Sequence, residues 1–434
     1  MALAVTEPTS PLQIADYRSF WLARFLAVFS TLSMVVLIGY QTYDVARADY
    51  GMDRSHAAFM LGLLGAAQFV PLFLLTPLAG VAADRFDRRI VVLCANGVDA
   101  LIALSLAFAT WREALTLPLL FSLAAMHGAA RVFNGPALSA IAPNVVSAQL
   151  LPKAIALSSI AWQVGTVIGP AIGGLLFAWK PASPYLLSAV LLIASAALII
   201  SIRPVRALHE GPPAHPLKQM VDGFQFVRRE RFLLGCITLD LFAVLLGGAT
   251  AMLPVYARDI LAVGPEGLGV MRGAPAVGAA LVAALLSWRP LENNVGVKML
   301  WAVVAFGAAT IVFALSRNFL LSLGALACLG AADMISVFVR NSLVQLNTPD
   351  NKRGRVSSIS GLAISASNEL GELESGLVAG LIGATGAVVF GGVGAIVITG
   401  LWAWIFPELR RAKTFAPTFL HEDRQPDTLK EPAA

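Results

Sequence analysis

The chain has 434 residues, of which 57% are hydrophobic and only 13% are charged, and its mean hydropathy is +0.75. Soluble domains carry about 25% charged residues, so this composition excludes a soluble protein and indicates a membrane protein. The net charge of +5 does not call for nucleic acid as a partner, because basic residues in a membrane protein first report its orientation.

Apolar runs of about 20 residues, long enough to cross a hydrocarbon core, recur along the whole chain. The polar residues before Phe20 lack the basic start, short apolar core and cleavage site of a signal peptide, so we expect the first run to be retained. We predict an all-α membrane protein with twelve spans, at residues 19–40, 57–83, 90–110, 116–140, 154–178, 185–202, 232–256, 267–287, 298–315, 319–341, 356–382 and 385–406.

The longest connection between spans, 203–231, divides them six and six and is rich in proline and charge. We therefore predict an N-terminal six-helix bundle at 1–202, a cytoplasmic linker at 203–231, and a C-terminal six-helix bundle with a cytoplasmic tail at 232–434. Apolar residues at helical spacing in the linker indicate a short amphipathic helix on the membrane surface. A plain solvated helix is an equally good interpretation of Leu217, Met220, Val221, Phe224 and Val227.

The basic residues predict the orientation. With both termini in the cytoplasm, most of the 31 lysines and arginines fall on the cytoplasmic side, as the positive-inside rule requires. The outer loops then hold only Arg47, Arg54, Arg112, Lys180, Arg258 and Arg317.

The two halves of the chain repeat some of their spacing. Gly65, Gln68 and Pro71 in span two are spaced like Gly269, Arg272 and Pro275 in span eight, and the glycines of span five align with those of span eleven. A duplicated six-helix unit is typical of one large group of secondary transporters.

The loop after span two carries a motif of that group. Gly80, Asp84, Arg85, Arg88 and Arg89 resemble the G-x-x-x-D-R-x-G-R-R signature of the major facilitator superfamily, except that Asp87 stands where glycine is usual. The acid and the arginines can pair with neighbouring helix ends when the cytoplasmic side is closed, so we predict a gating role. An ordinary basic loop that sets topology is the alternative.

Span five carries a second motif. Gly165, Gly169, Pro170, Gly173 and Gly174 resemble the G-x-x-x-G-P-x-x-G-G element of the antiporter branch. Small residues four apart also allow close helix packing, which is the alternative interpretation. QTYDVA in span one and the stretch from Val339 to Gly376 are similar to the branch that contains siderophore exporters. The resemblance implies a bacterial inner-membrane exporter of small organic molecules driven by proton entry. We expect it to act as a monomer in the lipid bilayer.

Other chemistry finds no support in the sequence. The histidines have no metal-ligand spacing, no Walker lysine is present, and the glycines near residue 395 lie inside a span rather than after a strand. We therefore expect no enzyme, no cofactor and no metal, and an ion or substrate gradient as the source of energy.

Charged residues at membrane depth mark functional sites by default. Asp99 and Asp240 fall near the middle of spans three and seven, so we predict that they line a cavity. Structural ion pairs are an equally good interpretation of Arg131, Asp333 and Arg340.

Span eleven contains three glutamates within six positions. At 100° per residue, Asn368, Glu369 and Glu372 share one polar face, whereas Glu374 lies on the far side. Burial and repulsion between neighbours both favour a protonated acid, so we predict that Glu369 and Glu372 face the central cavity, that at least one of them carries the coupling proton, and that Glu374 contacts a neighbouring helix. Glutamates that only hold helices together are the alternative.

The sequence thus predicts a secondary transporter that works by alternating access, with a proton-coupled exporter of a siderophore or drug-like compound as the leading hypothesis. An importer or a lysolipid flippase of the same fold is the alternative within transport. A membrane sensor that does not transport is the alternative from another class of protein.

Overall fold

The computed structural model describes residues 10–147, 149–204, 216–289 and 291–416. Its secondary structure in these residues is entirely helical. The membrane-spanning helices are α1 Ala15–Ala48, α2 Arg54–Arg85, α3 Arg88–Trp111, α4 Leu117–Val145, α5 Leu151–Trp179, α6 Ser183–Ser201, α7 Arg231–Ile260, α8 Gly264–Trp288, α9 Val295–Leu315, α10 Phe319–Leu346, α11 at 350–382 and α12 at 384–405. The predicted all-α fold with twelve spans agrees with this arrangement.

Ten of the helical stretches are long and apolar enough to cross a membrane. The last of them, Arg355–Ile405, contains both α11 and α12, and α4 supplies the remaining helix. Gly383 separates α11 from α12, with φ 78° and ψ 162°. A side chain would strain this conformation, so the break falls at a glycine between the two predicted spans.

Helix α7 is interrupted, whereas the sequence predicted a continuous span there. Its regular part, Arg231–Leu246, ends at Gly247 and Gly248, and a π-helical turn follows at Tyr256–Ile260. A Cβ atom on Gly248 would lie 2.8 Å from the carbonyl oxygen of Gly371. The interruption therefore lets α11 approach α7 closely.

Helices α1–α6 pack mainly on one another and form the first bundle, and α7–α12 form the second bundle in the same way. The bundles meet through α2 against α11 and α5 against α8. Glycines make the closest approaches: a Cβ atom on Gly62 would lie 2.7 Å from Cα of Gly376, and one on Gly269 would lie 2.6 Å from the carbonyl oxygen of Pro170. The bundles therefore touch through their backbones.

Ion pairs reinforce this contact at the end of the molecule where α1 and α7 both end, which we call the closed end. Asp259 on α7 accepts a hydrogen bond of 2.8 Å from the Tyr43 hydroxyl, and it pairs with Arg47 at 3.2 Å. Arg258 pairs with Asp44 at 2.7 Å. These contacts all join the first bundle to the second.

The predicted linker helix is present at Pro216–Arg229. Asp222 pairs with Arg355 of α11 at 3.8 Å, and Val227 is buried against the second bundle. Val221 and Phe224 are exposed, and the position of this helix on a membrane surface stays a prediction. Residues 205–215 of the linker lie outside the described residues.

The orientation stays a prediction with a direct test. Single cysteines at Ser183, the first residue of α6, and at Gly211, which lies outside the described residues, should react with a membrane-impermeant maleimide from opposite sides. Periplasmic reagent should label only the cysteine at 183. Labelling of both cysteines from the periplasm would overturn the predicted topology.

Candidate functional site

A cavity of about 690 Å³ lies between the two bundles. Ligand pockets for small molecules fall in the range of about 300 to 1,000 Å³. The first bundle contributes the polar residues Gln68, Arg131, Trp162 and Gln163 to its wall. The second bundle contributes Arg272, Asp333, Asn368, Glu369 and Glu372.

Glu369 connects the bundles across this cavity. Its Oε1 atom lies 3.6 Å from Nη1 of Arg131, and its side chain is 11% exposed. Arg131 belongs to α4 and Glu369 to α11, so this ion pair is a contact between bundles. Protonation of Glu369 would remove the charge that holds the pair together.

Glu372 lies where the cavity meets the closed end. A Cβ atom on Gly65 would approach the Glu372 Cβ to 2.9 Å, so only glycine at 65 leaves room for this glutamate. Glu372 is also within electrostatic reach of Glu369, Arg272 and Arg131. Two carboxylates and two guanidinium groups therefore share one part of the cavity.

Glu374 lies outside the cavity wall. Its Oε2 atom accepts a hydrogen bond of 3.4 Å from the Ser375 hydroxyl. Its Oε1 atom is buried and has no hydrogen-bond partner among the described residues. The structure thus separates Glu374 from Glu369 and Glu372, and the predicted contact of Glu374 with a neighbouring helix stays a prediction.

Asp240 was expected in the cavity, but the structure places it inside the second bundle in an ion pair with Arg340. Both side chains are buried. Asp333 interacts electrostatically with this pair and also reaches the cavity wall. A buried pair of this kind is costly to break, by about 3 to 5 kcal/mol when one partner is lost.

Asp99 was also expected in the cavity and instead lies inside the first bundle. Its Oδ1 atom is 2.9 Å from Nδ1 of His127 on α4, and both side chains are fully buried. Reasoning from the sequence missed this partner because the histidines were considered only as metal ligands. The pairing could have been predicted, because Asp99 and His127 both lie near the middle of consecutive antiparallel helices.

A second cavity of about 370 Å³ adjoins the first and shares Leu32, Leu72, Arg131 and Trp162 with it. The guanidinium carbon of Arg24 lies 5.8 Å from the centre of the Trp162 ring. Arg24 and Arg272 both lie within predicted spans, at 19–40 and 267–287, but neither was a predicted site residue. Their positions inside apolar spans could have identified them as candidate site residues.

Charged residues of the predicted gating motif hold the loop between α2 and α3 in place. Asp87 caps α3 by accepting the Arg89 backbone N–H, and it has an ordinary φ of −58°, so the position does not require glycine. The Arg89 side chain pairs with Asp87 at 2.8 Å and donates to the carbonyl of Ile202 at the end of α6. Arg85 is exposed, and a Cβ atom on Gly80 would meet open space.

The side chain of Asp84 lies outside the described part of the structure, so its gating role remains a prediction. Asp84→Asn should reduce transport without reducing insertion, because it removes one charge at nearly constant volume. We expect a shift of about 1 to 3 kcal/mol in the conformational balance, the usual scale of coupling energies. Transport assayed at equal protein abundance is the measurement, and normal activity would leave the motif only a topological role.

The glycines of the antiporter-like motif all lie at helix contacts. Cβ atoms on Gly165 and Gly169 would collide with Val28 and Phe29 of α1, and one on Gly173 would collide with Ser33. Gly174 faces Pro265 and Gly269 of α8 in the second bundle. The motif therefore packs α5 against both bundles, with Pro170 inside the helix.

Relatives of this chain are membrane transporters. The enterobactin exporter EntS of Shigella flexneri is 26% identical over 426 residues, which cover 94% of this chain and 95% of the relative. EntS of Escherichia coli O1:K1 is equally similar over the same shares. Such relatives are not enzymes, in agreement with the prediction from the sequence.

Solved transporter structures share the fold. A bacterial homologue of the human lysosomal transporter Spinster, in an inward-facing and unoccupied conformation, superposes with a TM-score of 0.69 at 14% identity, over 91% of this chain and 97% of that one. A D-xylose–proton symporter gives 0.67 at 13% identity, over 92% and 99%. Residues 6–424 match the family described as transmembrane secretion effector, and the chain therefore belongs to this family of major facilitator superfamily transporters.

Proposed function

We propose that this transporter is a proton-coupled exporter of a small organic molecule in the bacterial inner membrane, with both termini in the cytoplasm. One observation carries the proposal: Glu369 and Glu372 lie on the wall of a cavity between the bundles, beside Arg131 and Arg272. An ionised carboxylate at membrane depth is costly without such partners. A change in the position of the arginines can therefore make a glutamate at this site gain or lose a proton.

Proton binding at this site acts on the contact between the bundles. The ion pair of Glu369 with Arg131 joins α11 to α4, so its loss on protonation weakens one attraction between the bundles. A ligand shifts a conformational equilibrium by its difference in affinity for the two states. Protons bound from the periplasm and released to the cytoplasm can therefore drive the bundles between the two conformations.

The direction of transport is supported by the relatives, which are described as enterobactin exporters. In the predicted orientation the closed end faces the periplasm, and the second cavity extends toward the cytoplasmic ends of α1 and α2. This conformation would receive cargo from the cytoplasm. Proton entry in exchange for cargo would then complete the cycle as antiport.

Counterflow in everted membrane vesicles tests the function directly. Vesicles that contain the protein are loaded with an unlabelled siderophore, drug or metabolite, and uptake of the labelled compound is followed with and without an imposed proton gradient. Accumulation that requires an acidic interior supports proton-driven export. Accumulation driven by the opposite gradient would favour the importer, and movement of lysolipid alone would favour the flippase.

A further inference from the structure

We propose that the second cavity binds the anionic end of the cargo, and that the cargo carries a carboxylate or similar oxyanion attached to a flat ring. This inference rests on the proposed transport function and specifies the class of its substrate. The two cavities differ in charge. The wall of the larger one contains the carboxylates Glu369, Glu372 and Asp333 together with Arg131 and Arg272, whereas the second cavity has Arg24 and the shared Arg131 and no carboxylate in its described wall.

Arg24 is the residue on which the proposal depends. It lies five residues inside the first predicted span, 19–40, roughly 8 Å along the helix axis at 1.5 Å per residue. Its Nε atom is buried without a hydrogen-bond partner, and among the described residues no carboxylate pairs with its side chain. Arg24 is half-buried, and a cation with a buried, unpaired Nε atom in an apolar helix is costly, so this position favours a ligand that supplies negative charge.

The surroundings of Arg24 specify the shape of that ligand. Guanidinium groups bind carboxylates through two parallel hydrogen bonds in one plane. Trp162 contacts Arg24 on one side, and its side chain is 49% exposed at the junction of the two cavities. A flat ring attached to the anion can pack on the remaining indole surface. The Oδ1 atom of Asn134 on the same wall is buried without a donor and can accept a hydrogen bond from the cargo.

An anionic cargo also suits export. Each elementary charge moved across the membrane is worth about 2.3 kcal/mol per 100 mV of potential. In a cell with a negative interior, outward movement of an anion and inward movement of a proton are both favoured by the potential. The exchange would therefore use both the proton gradient and the membrane potential.

Equilibrium binding to the purified full-length protein in nanodiscs tests the proposal with two matched probes, radiolabelled 2-naphthoate and its neutral analogue 2-naphthamide. We expect the naphthoate to bind at least tenfold more tightly. Arg24→Gln should abolish this preference, Arg24→Lys should keep part of it, and Trp162→Ala should weaken both probes. Size-exclusion chromatography and thermal unfolding establish that each variant is folded.

Glu374→Gln serves as a control and should bind both probes like the wild type. Equal binding of naphthoate and naphthamide, or a preference that survives in a folded Arg24→Gln protein, would overturn the proposal, as would the absence of saturable naphthoate binding. The assay needs no proton gradient. It therefore separates failure of the anion site from failure of proton-coupled export, which only the vesicle assay reports.

Discussion

Glu372→Gln is expected to abolish proton-driven transport while the protein still folds and inserts. Glutamine has nearly the volume of glutamate but cannot exchange a proton, and it leaves Arg272 and Arg131 without one of their two carboxylates. An ionised acid near the bilayer centre costs about 2.5 to 3.5 kcal/mol, so removing the charge should not reduce folding. Efflux in vesicles with an imposed pH gradient, at matched protein abundance, is the measurement.

Two variants make this result specific. Glu369→Gln should impair coupling as well, because it removes the ion pair with Arg131. Glu374→Gln should leave coupling intact and lower stability or abundance instead, because Glu374 lies outside the cavity wall and bonds to Ser375. Undiminished proton-driven transport in both Glu369→Gln and Glu372→Gln would exclude this face of α11 from the mechanism.

The cavity residues on α11 could be predicted because helical periodicity determines direction around a helix. Asn368, Glu369 and Glu372 lie within one sector, and the structure has all of them on the cavity wall. The depth of a residue along its helix does not tell toward which neighbour its side chain points. Asp99 and Asp240 were expected in the cavity for their depth alone, and partners on other helices hold them inside the bundles.

The twelve helices could be predicted because each needs about 20 apolar residues, a property of a single stretch of sequence. The interruption in α7 could not be predicted from Gly247 and Gly248, because glycine is also common inside unbroken membrane helices. The close approach of Gly371 to Gly248 accompanies the break, and this contact between two helices cannot be read from the sequence of α7. The ion pair of Asp259 with Arg47 and its hydrogen bond with Tyr43 could not be predicted either, because these residues are separated by about half of the chain.

The repeated spacing of spans two and eight has a physical counterpart. Gln68 and Arg272 occupy matching positions in the two repeats, and both line the central cavity. Gly65 and Gly269, three residues earlier in each repeat, both admit a close neighbour from the opposite bundle. Each repeat thus supplies one polar cavity residue and one glycine at the contact between the bundles.

That contact leads to a prediction about conformational change. Gly376→Ala should prevent the bundles from meeting at the closed end, because the approach of Gly62 and Gly376 is backbone to backbone. No rotamer change can relieve such a collision, and overpacking costs about 1 to 3 kcal/mol. The population should therefore shift toward conformations in which this end is open, and transport should slow by about tenfold or more.

Spin labels on exposed residues at the closed end, one at Trp111 of the first bundle and one at Leu320 of the second, would report this shift as a longer inter-bundle distance. The exposed cysteines Cys94 and Cys328 would first be replaced by serine. Gly380→Ala is the matched control, because it lies one turn further along the same helix, where a Cβ atom would meet Phe59 at an ordinary 3.4 Å. The distance distribution of this control should match that of the wild type. The same result for Gly376→Ala would show that closure of this end tolerates a side chain between the glycines, and would contradict the role assigned to them.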